Sequence, residues 1–446
     1  MPSVAPFRGL EYALERRDTA TVPPRVRADG DADPYAGHVA DLTDLVCPPY
    51  DVLTDAQRDS LLAAHDRNAV RLELSAEPDP HAAAATTLAA WLADRTLVRR
   101  DEPVVYSYRH ATPEQPDALK VEAVVARVLL EPWGDGVRRH EHTMPGPKAD
   151  RLALLRATRT QLSPILALYF DRSSHADDAI RRSGADEWRA RDGDGLLHAV
   201  VPIEPDERLL DHLARQTLYV ADGHHRYETA LAYQRGVRAD QELAGAAPGS
   251  LAADWIMVAL VNAEHEDLAI LPTHRLILDA GPELLTSLAR PGQPWEAQPM
   301  APDELPAALE ARAGHAAPVF GVVLRGGEGR LLVGDRTGVA ARMEREALSD
   351  AVRALDLAVL HALVLRDVLD IGPEHVAAGE RLAYTRSATE AIERVADGEA
   401  AAAILVRPTR LDQLAAVAGA GDVMPQKSTY FYPKLLTGMV FNPLED

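Results

Sequence analysis

A single cysteine, Cys47, in 446 residues rules out an internal disulfide framework, which suits a reducing cytoplasm. No run of about 18 apolar residues occurs, so no membrane span is expected. The opening stretch MPSVAPFRGLEYALERRD lacks the apolar core of a secretory signal. Fixed-period repeats are missing too. No G-x-x-x-x-G-K-S/T loop is present, and GEGRLLVG does not satisfy G-x-G-x-x-G. Positive charge is in short supply: 47 Lys and Arg face 68 Asp and Glu, a net charge of −21. Such a far field repels a nucleic-acid backbone, whose binding rests on phosphate neutralisation. A small anionic ligand needs only a local pocket and survives that test. The expectation is a soluble cytoplasmic protein with a small-molecule ligand and neither a membrane nor a nucleic-acid partner.

What is present is ordinary globular composition, 47% hydrophobic and 26% charged. The length exceeds what one core usually organises, so two or three domains are expected. Thr54 is placed to cap a helix running to about His65. EPVVYSYRHATPEQPDALKVEAVVARVLLEP reads as a hairpin, residues 148–158 as a helix, and Ile165 to Phe170 as a buried strand. PVFGVVLRGGEGRLLVGD reads as a second hairpin turning on Gly-Gly-Glu-Gly, preceded by helix signals in PELLTSLAR and PDELPAALEARAG. These elements predict an α/β to α+β fold with mixed sheets. The predicted organisation is a main region over 1–280, a smaller α+β insertion over 281–345, and a return to the main body over 346–446.

The stretch LYVADGHHRYETALAY, residues 218–233, carries the strongest chemical signal. An apolar strand stops at Ala221-Asp222-Gly223, and a helical pattern begins a few residues later. The first amides of a helix are unpaired and carry the positive end of its dipole, so they attract phosphate or carboxylate. Gly223 permits close backbone approach, His224 and His225 add donors, and Arg226 adds a planar fork suited to phosphate. Asp222 is positioned to hold a metal, orient a histidine or take a proton.

Other clusters offer related chemistry. In RRHEHT, His140 and His142 share one face of an extended segment and can suit a metal, with Glu141 between them as a candidate base. MPQKSTYFYPK places Lys427, Ser428, Thr429 and Lys434 among aromatics, a phosphate-binding set with Tyr430 or Tyr432 available to stack on a ring. In CPPYD, a rigid proline pair fixes Asp51, and LPTHR puts His274 and Arg275 after a strand.

ADGHHRYETA resembles the Asp-Gly-His-His-Arg turn of the ParB/sulfiredoxin superfamily, including its free-serine kinases. In that superfamily the strand-turn-helix element cradles nucleotide phosphates. Where sulfiredoxin carries a reactive cysteine this turn has His224, so the resemblance does not extend to sulfinic-acid repair. CPPYD, RRHEHT with KADRLALLRAT, ADGHHRYETA, LPTHR and MPQKSTYFYPKLLTG, in that order, also resemble the bacterial family called domain of unknown function 1015. The turn's resemblance implies a phosphotransferase that uses ATP, ADP or another phosphate donor with Mg²⁺ on a small hydroxyl metabolite such as serine. Asp222, His224, His225 and Glu141 would be catalytic. Gly223, Arg226, Lys427, Ser428, Thr429 and Lys434 would bind the donor, and Asp222, His140 and His142 would hold the metal. The alternatives are a nucleotide- or metabolite-binding regulator without turnover and, against the charge, a ParB-like DNA-associated protein.

Overall fold

The computed structural model describes residues 2–13, 39–112, 115–134, 136–141, 145–173, 187–239, 245–264, 268–279, 287–288, 290 and 292–445. The Pro-rich stretch at 19–37, most of PELLTSLAR and His142 lie outside the described residues. The chain divides into two compact units, one of residues 1–138, 145–268 and 433–446, the other of 139–144 and 269–432.

The first unit is built on a mixed ten-stranded sheet. Its spatial order is Val39–Asp41, Glu187–Arg191, Leu197–Ile203, Val105–Thr112, Gln115–Leu129, Trp255–Asn262, Ile165–Tyr169, Leu218–Asp222 and Val137–Arg138, with Val4–Ala5 paired to Gln115–Leu129. Ile165–Tyr169 is buried at all five positions, as a continuous apolar run predicts for a central strand. The expected hairpin forms with Tyr106 opposite Val125. The helix Pro145–Thr158 packs on the helix His224–Arg238. Tyr227, Ala230 and Leu231, at helical spacing, sink into a core with Ile165, Val220 and Ile256. Each leucine, isoleucine or valine among them contributes about 1.5–3 kcal/mol by leaving water. Thr54 caps the helix Asp55–Ala64 through a reciprocal pair with Gln57.

The second unit carries an antiparallel six-stranded sheet in the order Trp295–Pro299, Glu328–Gly334, Val319–Leu324, Ala402–Val406, His274–Ile277 and Leu382–Thr385. Leu305 and Leu309 from one helix, and Ala391 and Val395 from another, close its core. Leu360–Arg366 forms a π-helix, a rare element that often accompanies function.

This corrects the expected organisation. The second unit begins near residue 269 rather than 281, and of residues 346–446 only 433–446 belong to the first unit. The physical reason is strand pairing: Ala402–Val406 hydrogen-bonds to both His274–Ile277 and Val319–Leu324, so the later segment completes the smaller sheet. Mixed sheets and an α/β to α+β class stand as expected.

Candidate functional site

The strand Leu218–Asp222 pairs with Ile165–Tyr169, and its register slips between Val220 and Asp222. The irregularity re-aims the strand end, a common device beside functional sites. Gly223 follows in the left-handed region at φ 95° and is the N-cap of the helix His224–Arg238. A Cβ there would lie 2.5 Å from an Ile165 methyl, so both the backbone angle and the space demand glycine. With no side chain, this cap leaves the helix start to other partners.

Asp222 is the centre of the constellation. One carboxylate oxygen accepts from Arg226 at 2.9 Å and the other from the Lys434 ammonium at 2.5 Å, across 212 residues of sequence. Burial opposes ionisation, but Lys434, Arg226 and His224 outweigh it and hold the carboxyl well below its usual range. Lys434 is delivered by a strap fastened at two points. Cys47 and Thr437 exchange backbone hydrogen bonds, and the Leu436 amide donates to the Tyr108 hydroxyl at 3.0 Å.

Arg226 does not present the open fork expected of it. Its guanidinium is 16% exposed and donates to Ser163 at 2.8 Å, to the Pro164 carbonyl at 3.0 Å and to Asp222. Burial disfavours its charge, but Asp222, Asp51, Tyr50 and Glu73 together raise its pKa. It is a half-buried strut that holds Asp222. His224 is buried at the helix start near Trp133, and His225 beside it is half-buried.

Two residues that sequence reasoning passed over adjoin this strut. Glu73 is 4% exposed and pairs with Arg151 at 3.2 Å, while Arg151 also grips Asp150 at 2.6 Å and lies 4.4 Å over the Tyr50 ring. Burial raises the Glu73 carboxyl, with Arg151 and Arg226 pulling it back. A signal did exist: Arg151 stands three and four residues before Leu154 and Leu155, a charge on the apolar stripe of a helix.

The remaining predicted residues assemble in the second unit. His140 Nε2 meets the Thr429 hydroxyl at 2.8 Å, and the His140 carbonyl accepts from the Met424 amide. Glu141 accepts from the Lys427 amide at 3.1 Å. Arg275, fully buried, donates to the carbonyls of Thr273, Gln426 and Lys427. Lys427 sits at φ 57°, a left-handed angle that costs a non-glycine residue about 1–2 kcal/mol. Ser428 is buried with its hydroxyl on the Pro425 carbonyl at 2.5 Å, so it offers no open donor. Arg386 covers the Tyr430 ring at 4.3 Å and Phe431 is buried, so these two aromatics serve packing.

The structure thus joins Asp222, Gly223, Arg226 and Lys434 in one unit, and His140, Glu141, Lys427, Ser428 and Thr429 in the other. Asp222 and His140 fall in different units, both Asp222 oxygens already face cations, and His142 is outside the described residues. Among the described residues no group of three or more His, Cys, Asp or Glu can hold a metal, nor is any helix long and apolar enough to cross a membrane.

The family described as protein of unknown function (DUF1015) matches residues 33–358. The chain belongs to this family. Curated proteins gave no match. Among solved structures, a free serine kinase in complex with AMP is similar at 12% identity and TM-score 0.35, over 68% of this chain and 89% of that one. A conserved hypothetical protein from Pyrococcus furiosus is similar at 12% identity and TM-score 0.35, over 68% and 91%. SbnI from Staphylococcus aureus is similar at 13% identity and TM-score 0.35, over 70% and 85%.

Proposed function

We propose that this DUF1015 protein is a phosphotransferase that binds ATP, ADP or a related phosphate donor at the 222–226 turn and passes a phosphoryl group to a small hydroxyl compound. The observation that carries this reading is the Asp222 carboxylate shared between two cations, Arg226 and Lys434, at a helix start capped by left-handed Gly223. Arg226 and Lys434 set two cations on Asp222 beside the positive end of the helix dipole, with Asp51 and Glu73 also acting on Arg226. Phosphoryl transfer asks chiefly for charge neutralisation and positioning, which such a place supplies. Lys434 is the cation the donor meets, Arg226 fixes Asp222, and the turn amides take phosphate oxygens. Any Mg²⁺ would enter on the donor's phosphates, which bring the oxygen ligands that this ion prefers.

One observation favours binding without turnover as a second reading. Asp222 is held ionised by two cations, so it is not poised to take a proton.

The deciding experiment is a thermal-shift panel with ATP, ADP and pyrophosphate, each with and without Mg²⁺, on the wild type and Lys434→Ala. A duplex DNA serves as the control. A ligand at about a hundred times its dissociation constant stabilises by about 2.7 kcal/mol. Stabilisation by a phosphate ligand that Lys434→Ala removes supports the turn. Silence across the panel sinks it, and stabilisation without any phosphorylated product under an acceptor screen leaves the regulator reading.

A further inference from the structure

Away from the turn, between the end of the helix Pro145–Thr158 and the last turns of His224–Arg238, lies a groove of about 600 Å³. That volume falls within the range of about 300–1,000 Å³ usual for small-molecule sites. Arg156, Arg159, Tyr233, Gly236 and Glu445 line it, over an apolar floor of Val237, Ala253 and Leu444. Gly236 stands twelve residues beyond His224, roughly 18 Å along the helix at about 1.5 Å per residue, so this is not the anion seat at the turn.

Three features set the groove apart from a seam between helices. The Arg156 guanidinium is exposed and has no carboxylate partner among the described residues, and it comes within 3.9 Å of where a Gly236 Cβ would stand. Tyr233, three residues before Gly236 and so on the same helix face, is nine-tenths buried. Its hydroxyl has no hydrogen-bond partner among the described residues, yet it is not sealed from solvent and it feels the charges of both Arg159 and Glu445. Third, the sequence forgoes stability at two positions here. Gly236 sits inside a helix, where glycine is disfavoured, although a Cβ would meet nothing closer than that 3.9 Å contact. Arg159 takes φ 48° just past the end of its helix, a left-handed angle that glycine tolerates better. Local rules broken on one groove without a packing reason point to a ligand.

The lining sets that ligand's chemistry. Arg159 pairs with Glu445 at 2.7 Å, which leaves the Arg156 charge unanswered. One open guanidinium beside an accessible hydroxyl matches one carboxylate: the planar fork takes both oxygens, and the phenol O–H donates a further hydrogen bond. The apolar floor, left uncovered where Gly236 has no side chain, takes a short hydrocarbon body. The hydroxyls of a sugar would lie against that floor unmatched.

We infer that this groove is a second binding site, for a monocarboxylate with a small apolar body, with Arg156 as its anchor and Tyr233 as its second donor. The site stands independently of the phosphotransferase reading.

The test is ligand-observed saturation-transfer NMR on the full chain with hexanoate and phenylacetate, against hexanol, acetate and inorganic phosphate. The two apolar acids are expected to bind at least about tenfold more tightly than the three controls. Arg156→Gln should weaken hexanoate about tenfold and Tyr233→Phe about threefold. Gly236→Leu should fill the groove and abolish the signal. That position is exposed and leucine favours a helix, so the variant stays folded, which its thermal unfolding verifies. Arg235→Gln removes a neighbouring exposed charge outside the groove's lining and should leave binding unaltered. Equal binding of hexanol would mean an apolar seam, and equal binding of acetate or phosphate an unspecific cationic surface; either overturns the inference. So does hexanoate binding that survives Arg156→Gln and Gly236→Leu, or a failure of both acids to bind.

Discussion

The two units each gather the chain's scattered polar motifs into a cluster, but they balance charge in opposite ways. In the first unit carboxylates answer cations: Asp222 meets both Arg226 and Lys434, and Glu73 and Asp150 both meet Arg151. A small cavity remains among them. In the second, the fully buried Arg275 is held by three backbone carbonyls, and its Nε has no partner among the described residues. Burial there pushes Arg275 down to about 10, and burial with Arg275 nearby pushes His274 to about 4 and His361 to about 3. The first arrangement leaves a small cavity beside its charges. The second fastens a loop, since all three Arg275 acceptors are main-chain and two of them belong to the 426–427 turn.

The largest effect expected is Arg275→Ala, which strips three buried carbonyls of their donor and leaves a void. It should destabilise the second unit by about 3–5 kcal/mol. Hydrogen exchange resolved by peptide should show the loss over 269–432 and native protection over the 218–238 region. Loss spread equally over both units would break the comparison.

Acid should separate the units next. His274 is neutral when folded, with its Nδ1 accepting from the Val406 amide at 3.2 Å. A base depressed to about 4 contributes stability that is whole above its unfolded value near 6.5 and is lost as pH falls to about 4, some 3 kcal/mol in all. Asp222 is a depressed carboxyl, so its contribution persists down to about pH 4 and disappears only below it. Glu73 has the reverse sign: its raised carboxyl is most comfortable protonated, so its contribution declines as pH rises. Exchange protection in the second unit should therefore fall between about pH 6.5 and 4. His274→Gln should reduce that slope, and His361, depressed to about 3, should supply the remainder.

A smaller effect is expected for Asp222→Asn, which leaves Arg226 and Lys434 without their shared anion and should cost about 2 kcal/mol. Inorganic phosphate should restore part of that loss in the variant and much less in Lys434→Ala. Equal rescue of both variants would show that the turn is no anion seat. Smallest of all, Lys427→Asn places a residue tolerant of left-handed angles at φ 57° and should gain up to about 1 kcal/mol in the second unit. A loss instead would mean that the lysine side chain itself holds the loop.

Much of this was legible in the sequence. The continuous apolar run from Ile165, the hairpin pattern at 105–129 and the Thr54 cap state their structures locally, because periodicity and capping act within a few residues. The Asp-Gly-His-His-Arg turn announced itself for the same reason. The role of Arg226 was misread because a guanidinium beside a helix start looks identical whether it faces solvent or Ser163 and Pro164. Glu73 escaped notice because nothing within ten residues of it shows the Arg151 that it pairs with.

The sequence by itself determined the class of fold, the strand-turn-helix at 218–238 and the need for glycine at 223, all set by short-range sterics and hydrophobic pattern. Only tertiary structure decided which cations meet which anions. Lys434 meets Asp222 within the first unit while Lys427 belongs to the second, although the two lysines are seven residues apart. The reason is that a backbone exchange between Cys47 and Thr437 ties the last segment to the first unit, while Arg275 ties residues 426–427 to the second. Such long-range pairings leave no mark on local composition, yet they fix where the charges, and the cavity between them, come to rest.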